Sequence, residues 1–175
     1  AGTLSSRAVT INRKPVGGAV LKASFAKAGG RAELTGSLLG GKLAAEATFR
    51  PFAPDFGLGF KASLQEGRAA QAASFLPKTA TISPTAGQVD LRCSGTYYGK
   101  RGLDCRFDTK GRGLALAKNG KNALSGASLF LSGGYAAGTL SVGEGLFSPG
   151  KGVALRARGQ VAAALGLAPP LPAAS

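Results

Sequence analysis

The sequence predicts a mainly β protein: a glycine-rich antiparallel meander that forms a curved sheet, groove or open barrel, with at most one or two short helices. The first observation is the alternation of apolar and polar residues, as in residues 43–49, where every odd-numbered residue is apolar. A period of two places successive side chains on opposite faces of a strand. The second observation is the content of 28 glycines, many of which lie between these runs, where they favour turns.

Residues 1–50 are expected to contain three or four strands. Residues 16–19, which include a Gly-Gly pair, predict a turn or a bulge, and Gly29-Gly30 separates two alternating runs. Gly40-Gly41 predicts a tight hairpin, because paired glycines accept the positive φ angles that two-residue turns require.

The middle of the chain contains the one predicted helix. Residues 50–55 carry two prolines and are expected to form a connection, after which residues 58–64 alternate as a strand. Residues 68–76 are rich in alanine and predict a helix of about two turns that ends before Pro77. The proline and glycine of residues 84–87 predict a further connection.

The best-marked part of the sheet is expected between residues 87 and 117. Strands 88–97 and 103–109 form a predicted hairpin whose turn lies at residues 99–102. Asn119-Gly120 predicts a type I′ turn, because both residues accept positive φ. The remaining predicted elements are a strand at 114–117, strands 123–132 and 139–142 around Gly133-Gly134, and a strand or strand-to-helix stretch at 153–165.

Residues 1–165 are expected to form a single β-rich domain that is part of a larger protein, since the chain lacks methionine. Residues 166–175 are rich in Pro and Ala and are expected to form a tail or linker. The chain has no apolar run of about 18 residues, so no transmembrane helix is expected within it.

The two cysteines, Cys93 and Cys105, lie on the two arms of the predicted 88–109 hairpin. They would face each other if the hairpin were centred on Gly99, and directly opposed cysteines can form a disulfide. A structural disulfide would indicate an oxidising compartment. The alternative is a pair of buried, reduced thiols.

The composition argues against an enzyme and against a metal or other cofactor. The chain has no histidine, which removes the commonest general base, and two cysteines without histidine are too few soft ligands for a zinc site. Asp104 and Asp108 share a strand parity with Arg106 between them, which favours an alternating ion-pair row over a catalytic carboxylate pair. No catalytic residue is therefore predicted.

The net charge of +14 predicts attraction to polyanions, with a solvated strand face as the alternative. The basic residues that we expect to contact lipid headgroups or another polyanion are Arg92, Lys100, Arg101, Arg106, Lys110 and Arg112. Nucleic acid is not an expected partner, because this basic region has few interleaved aromatic residues on which bases could stack.

Four segments follow one another in an order typical of one protein family. They are a glycine-punctuated strand pair at 34–43, a short segment between strands from 60–64 to 73–77, the strand 87–95 that begins Gly-Gln-Val-Asp-Leu, and amphipathic strands ending at 114–120. This order, over roughly residues 30–160, resembles the carboxy-terminal region of the AsmA-like family of Gram-negative envelope proteins. The resemblance implies a periplasmic domain, tethered to the inner membrane by a segment outside this chain, with an apolar β groove that carries phospholipid.

Function then depends on what the apolar face contacts. In a closed barrel or sandwich its large residues form a core, whereas in an open groove they line a channel for lipid tails. The residues expected in this lining are Phe25, Phe49, Phe60, Leu64, Leu91, Phe107, Leu116 and Phe130. The expected partners are an anionic lipid or membrane surface, and the alternative is an envelope scaffold or assembly component with protein partners.

Overall fold

The computed structural model describes residues 1–11, 14–26, 29–50, 57–76, 80–99, 102–150 and 152–162. Strands make up 86% of it and form one antiparallel meander that is not closed, with one helical segment of 7 residues. Each of the ten strands pairs with the next strand along the chain. The fold class predicted from the alternating pattern is therefore confirmed.

The elements follow one another without a crossover. They are β1 (Gly2–Ile11), β2 (Lys14–Ala26), β3 (Gly29–Leu38), β4 (Gly41–Phe49), β5 (Gly57–Arg68), α1 (Ala69–Ala72) with a 3₁₀ turn (Ala73–Phe75), β6 (Ile82–Tyr98), β7 (Gly102–Lys118), β8 (Lys121–Ala136), β9 (Thr139–Gly150) and β10 (Val153–Ala162).

Glycine positions predicted some turns correctly and misplaced others. The type I′ turn at Asn119-Gly120 is confirmed, since the two φ angles are 52° and 78°. The β3–β4 turn lies at Leu39-Gly40, with φ of 53° and 71°, and not at the predicted Gly40-Gly41. The cross-strand pair Leu38–Gly41 closes this turn, so Gly41 is already the first residue of β4.

Three predicted breaks in the chain are continuous strand in the structure. The gap expected between strands 103–109 and 114–117 lies inside β7. The connection expected at residues 84–87 belongs to β6, where two register shifts accommodate Pro84 and Gly87 within the pairing to β7. Gly133-Gly134 lies inside β8 and not between two strands. A Cβ atom on Gly133 would overlap the backbone carbonyl oxygen of Ser141 and would lie 2.9 Å from the ring of Phe107, so only glycine fits there.

The helical segment confirms the prediction for residues 68–76 and forms one side of a small core. Ala69 of α1 is buried together with Leu114 of β7 and Ala127 of β8. The partly buried side chains that pack against these three are Val89, Leu124, Leu129 and Phe147. This core lies at one corner of the sheet.

Several predictions lie wholly or partly outside the described residues. They concern residues 51–55 of the expected connection, the end of the last predicted strand beyond Ala162, and the tail at 166–175. The predicted bulge at residues 16–19 is confirmed, because the register between β1 and β2 shifts opposite Gly17.

Candidate functional site

Rows of side chains that cross the sheet keep their chemical character from strand to strand. The longest row crosses all ten strands and contains Leu4, Leu21, Leu34, Ala45, Ala62, Cys93, Phe107, Gly133, Val142 and Gly159. Residues in direct register share one face of a sheet. None of these ten residues is charged, so this face is apolar from one edge strand to the other.

Four more rows lie beside the longest one on the same side. They contain Phe25, Gly30, Phe49, Leu58, Tyr97 and Leu103; Ala23, Ala32, Ala47, Phe60, Gly95, Cys105, Tyr135, Leu140 and Val161; Gly36, Leu43, Leu64, Leu91, Thr109, Leu131, Gly145 and Ala157; and Val89, Gly111, Leu129, Phe147 and Leu155. We call these five rows the apolar face. They contain no charged residue.

Little of the described protein covers the apolar face. The helical segment packs against the corner formed by Val89, Leu129 and Phe147. Near the amino-terminal edge, Leu4 and Phe25 are each 69% exposed, and Leu155 of β10 is 59% exposed. Among the described residues only six hydrophobic side chains are buried, and three of those six are alanines.

The apolar side chains of this face contact one another within the layer. The rings of Phe25 and Phe49 meet edge to face with their centroids 5.5 Å apart. Gly30 lies between these two residues in the register, and a Cβ atom there would overlap the Phe49 ring. The Phe49 ring therefore lies over Gly30, where the absence of a side chain leaves room for it.

The sheet brings together most of the residues predicted to line a lipid site. Those on the apolar face are Phe25, Phe49, Phe60, Leu64, Leu91 and Phe107. Leu116 pairs with Pro84 and Leu124 near the small core, beyond the register shifts of β7. Phe130 was wrongly grouped with them, because its pairing with Lys110 and Leu146 places it on the opposite face.

The predicted disulfide is not supported. Both thiols are free, and Cys93 pairs with Phe107 while Cys105 pairs with Gly95. The last pair of the hairpin is Tyr98–Gly102, so the hairpin is centred one residue after Gly99, the centre that direct pairing of the cysteines required. The two cysteines are therefore diagonal neighbours. Diagonal neighbours lie about 7–8 Å apart, whereas the Cα atoms of disulfide-bonded cysteines are about 4.4–6.8 Å apart.

Both thiols lie in the apolar face, and their ionisation reflects it. Burial raises the pKa of Cys93, with a smaller contribution from the neighbouring Cys105. Burial also raises the pKa of Cys105; a hydrogen bond with the backbone of Tyr135 acts in the opposite direction, and the charge of Asp104 adds to the increase. The thiols are therefore held in their neutral form, which suits a face without charges.

The opposite side of the sheet, which we call the polar face, carries the basic residues. One of its rows contains Lys22, Glu33, Glu46, Lys61, Ser94, Arg106, Gly134, Ser141 and Gln160. Arg92 and Lys110 lie on this face opposite Asp108 and Asp90. Arg112 is placed here by its ion pair with Asp90. Lys100 and Arg101 lie outside the described residues.

This placement changes the expected role of the basic residues. They were expected to contact lipid headgroups or another polyanion, but Arg92, Arg106 and Lys110 lie on the middle strands and on the side of the sheet opposite the apolar face. A lipid lying on the apolar face would not reach them. Asp104, Arg106 and Asp108 lie on the polar face, as predicted. The ion pairs found among the described residues join other side chains: Arg31 pairs with Glu33 and Glu46, and Arg112 pairs with Asp90.

The polar face contains concavities between its side chains. One of about 580 Å³ is lined by uncharged residues of β3 to β6, among them Leu34, Ala45 and Cys93, and by the charged residues Glu33, Glu46, Lys61, Arg92, Arg106 and Asp108. The apolar face is an open surface that a hydrophobic ligand could cover, whereas the polar face has cavities that charged side chains help to line.

Two other kinds of site can be assessed from the described residues. Among them, no group of three or more Cys, Asp or Glu side chains is placed to hold a metal ion. In the same part of the chain, no helix has the length and the apolar content needed to cross a membrane.

Comparisons with models of protein families, with curated proteins and with solved structures found no match to this chain. The resemblance to the AsmA-like family therefore stays a prediction from the order of four segments.

Proposed function

We propose that this chain is a non-enzymatic domain of the Gram-negative periplasm that binds or transfers phospholipid on its apolar face, and that it supports outer-membrane biogenesis. The observation that carries the proposal is the apolar face itself, five rows of side chains without a charge, which the described helix covers at one corner only. The compartment, and a tether to the inner membrane outside this chain, follow from the AsmA-like resemblance.

The physical argument is the cost of leaving such a face in water. Burying a methylene group contributes about 0.8 kcal/mol, so about eight methylenes per acyl chain would contribute about 6 kcal/mol. Association itself costs about 4 kcal/mol or more. A lipid with a single acyl chain would therefore bind weakly, and a lipid with two acyl chains would bind well without a specific headgroup contact.

The test is native mass spectrometry of the purified chain, followed by extraction and identification of any bound lipid. We expect protein carrying diacyl lipid at a defined stoichiometry. A protein that carries no lipid, whether monomer or dimer, would overturn the proposal.

A scaffold or assembly role in the envelope is the second candidate, and the edge strands favour it. In the described sheet β1 and β10 each pair with one neighbour, and β10 is exposed along its length. An unpaired strand edge can accept a strand from another chain. Stable self-association of lipid-free protein in analytical ultracentrifugation, or capture of an envelope partner, would favour this role.

A further inference from the structure

The polar face contains two apolar side chains that the lipid-binding proposal does not use. Phe130 of β8 pairs with Leu146 of β9, and both side chains are half-buried. The same row continues to Lys110 of β7 on one side and to Arg156 of β10 on the other. Directly opposed residues have Cβ atoms about 4.5–5.5 Å apart, so an apolar pair lies between two cations.

This apolar pair lines a cavity of about 800 Å³ on the polar face. Its lining includes four basic side chains, Lys42, Arg92, Lys110 and Arg112, and three acidic ones, Glu66, Asp90 and Asp108. Binding sites for small molecules have volumes of about 300–1,000 Å³ and combine an apolar wall with a few polar groups. The cavity has both components.

The ion pairing around the cavity leaves Lys110 available. Asp90 lies opposite Lys110 in the register, but its Oδ1 accepts a hydrogen bond of 2.8 Å from the Glu66 backbone N–H. Its Oδ2 accepts a hydrogen bond of 2.8 Å from the Arg112 guanidinium. Among the described residues, the ion pairs within 4.0 Å do not include Lys110. Lys110 therefore pairs with Phe130 on one side, and both oxygens of Asp90, its register partner on the other side, already accept hydrogen bonds.

We propose that this cavity binds a small organic anion in which one apolar group carries a phosphate. The apolar group contacts Phe130 and Leu146, and the phosphate accepts hydrogen bonds from the Lys110 ammonium. Leu64, Gly111 and Leu129 of the apolar face also belong to the lining. The three residues that carry the proposal, Phe130, Leu146 and Lys110, share one row on the polar face. The site can therefore exist whether or not the proposed lipid binding is correct.

The test is isothermal titration calorimetry, in which naphthyl phosphate is titrated into the purified chain. Naphthol supplies the apolar group without the charge, and inorganic phosphate supplies the charge without the apolar group. We expect naphthyl phosphate to bind at least about tenfold more tightly than either, since each half contributes of the order of 1.4 kcal/mol. Octyl phosphate in a parallel titration shows whether an aromatic or an alkyl group fits better.

Variants on one strand separate this site from the apolar face. Phe130→Ala is expected to weaken naphthyl phosphate binding about tenfold, whereas Leu131→Ala changes the adjacent residue, which faces the other way, and should leave it within about twofold. Lys110→Gln is expected to weaken binding about fivefold, while Lys118→Gln at the exposed end of β7 should not. Both lysines are exposed, so these two variants are expected to fold.

Three results would overturn the proposal: no heat of binding, affinity equal to that of inorganic phosphate, or equal losses from Phe130→Ala and Leu131→Ala. Failure of lipid binding in the mass spectrometry above would leave this titration unaffected. The two proposals can therefore fail separately.

Discussion

Ala44 and Ala45 are adjacent residues of β4 that face opposite sides of the sheet, and they allow the lipid-binding proposal to be tested with a single kind of change. Ala45 pairs with Leu34 and Ala62 in the row that crosses all ten strands. Ala44 pairs with Thr35 and Ser63 on the polar face. Ala45→Asp therefore places a carboxylate in the middle of the apolar face, and Ala44→Asp places the same group among polar side chains.

The expected loss of lipid-binding free energy follows from the number of acyl methylenes that the carboxylate keeps away from the face. A hydrated aspartate side chain in place of Ala45 would prevent about three acyl methylenes from contacting the face, and each contributes about 0.8 kcal/mol. The loss of about 2.4 kcal/mol corresponds to about a 60-fold weaker affinity. Removing water from the carboxylate itself would cost more, so this is the smaller of the two effects. Ala44→Asp should change affinity less than about threefold.

The assay is a fluorescence titration with a diacyl phospholipid that carries a fluorescent label, together with lipid extraction from each variant purified in the same way. Urea unfolding of both variants controls for stability, since aspartate disfavours a strand similarly at both positions. If Ala45→Asp bound the probe as tightly as Ala44→Asp, acyl chains would not lie on the apolar face and the reasoning would fail.

Three further predictions concern stability and reactivity. Leu114→Ala, in the small core, should lower the free energy of unfolding by about 3 kcal/mol in urea titrations, whereas Leu155→Ala on the exposed edge should cost less than about 0.5 kcal/mol; equal costs would show that the core at this corner is not the stabilising one. Ala137 has a φ of 48° in the β8–β9 turn, so Ala137→Asn should stabilise by about 1 kcal/mol in the same assay, and a destabilised variant would contradict this turn. Burial raises the pKa values of Cys93 and Cys105, so both should react with iodoacetamide at pH 8 more slowly than a free thiol. The rate of alkylation should increase with pH, and bound lipid should decrease it. Fast alkylation that lipid does not change would show that the two thiols do not lie on the apolar face.

The alternating pattern predicted the fold class and the facing of most side chains in the middle strands. Leu43 to Phe49, Phe60 to Leu64 and Leu103 to Phe107 all have the predicted parity, and Asn119-Gly120 forms the predicted turn. These features are local, because the facing of a side chain depends on its neighbours in the same strand and a type I′ turn depends on two residues.

Most of the errors share one cause: the pattern within one strand does not specify the register, that is, which residues of two neighbouring strands pair. A shift of one residue in the turn moved Cys105 away from Cys93, and the strand β6 continued through Pro84 because bulges absorbed the irregularity. Phe130 was assigned to the wrong face because it lies between Leu129 and Leu131, and a run of three apolar residues does not show which of them faces the polar side. The turn at Ala137-Gly138 was missed because alanine seldom adopts a positive φ.

Period-two patterning and glycine spacing are properties of the chain read in order, and they predicted a β meander with one apolar face. That the described sheet does not close was decided by the tertiary structure. The alignment of ten strands into uninterrupted rows, the placement of the arginines away from the oily side, and the cavity beside Phe130 arise from pairings between residues distant in the chain. Hydrogen-bond registers and bulges select those pairings, and short-range sequence patterns do not encode them.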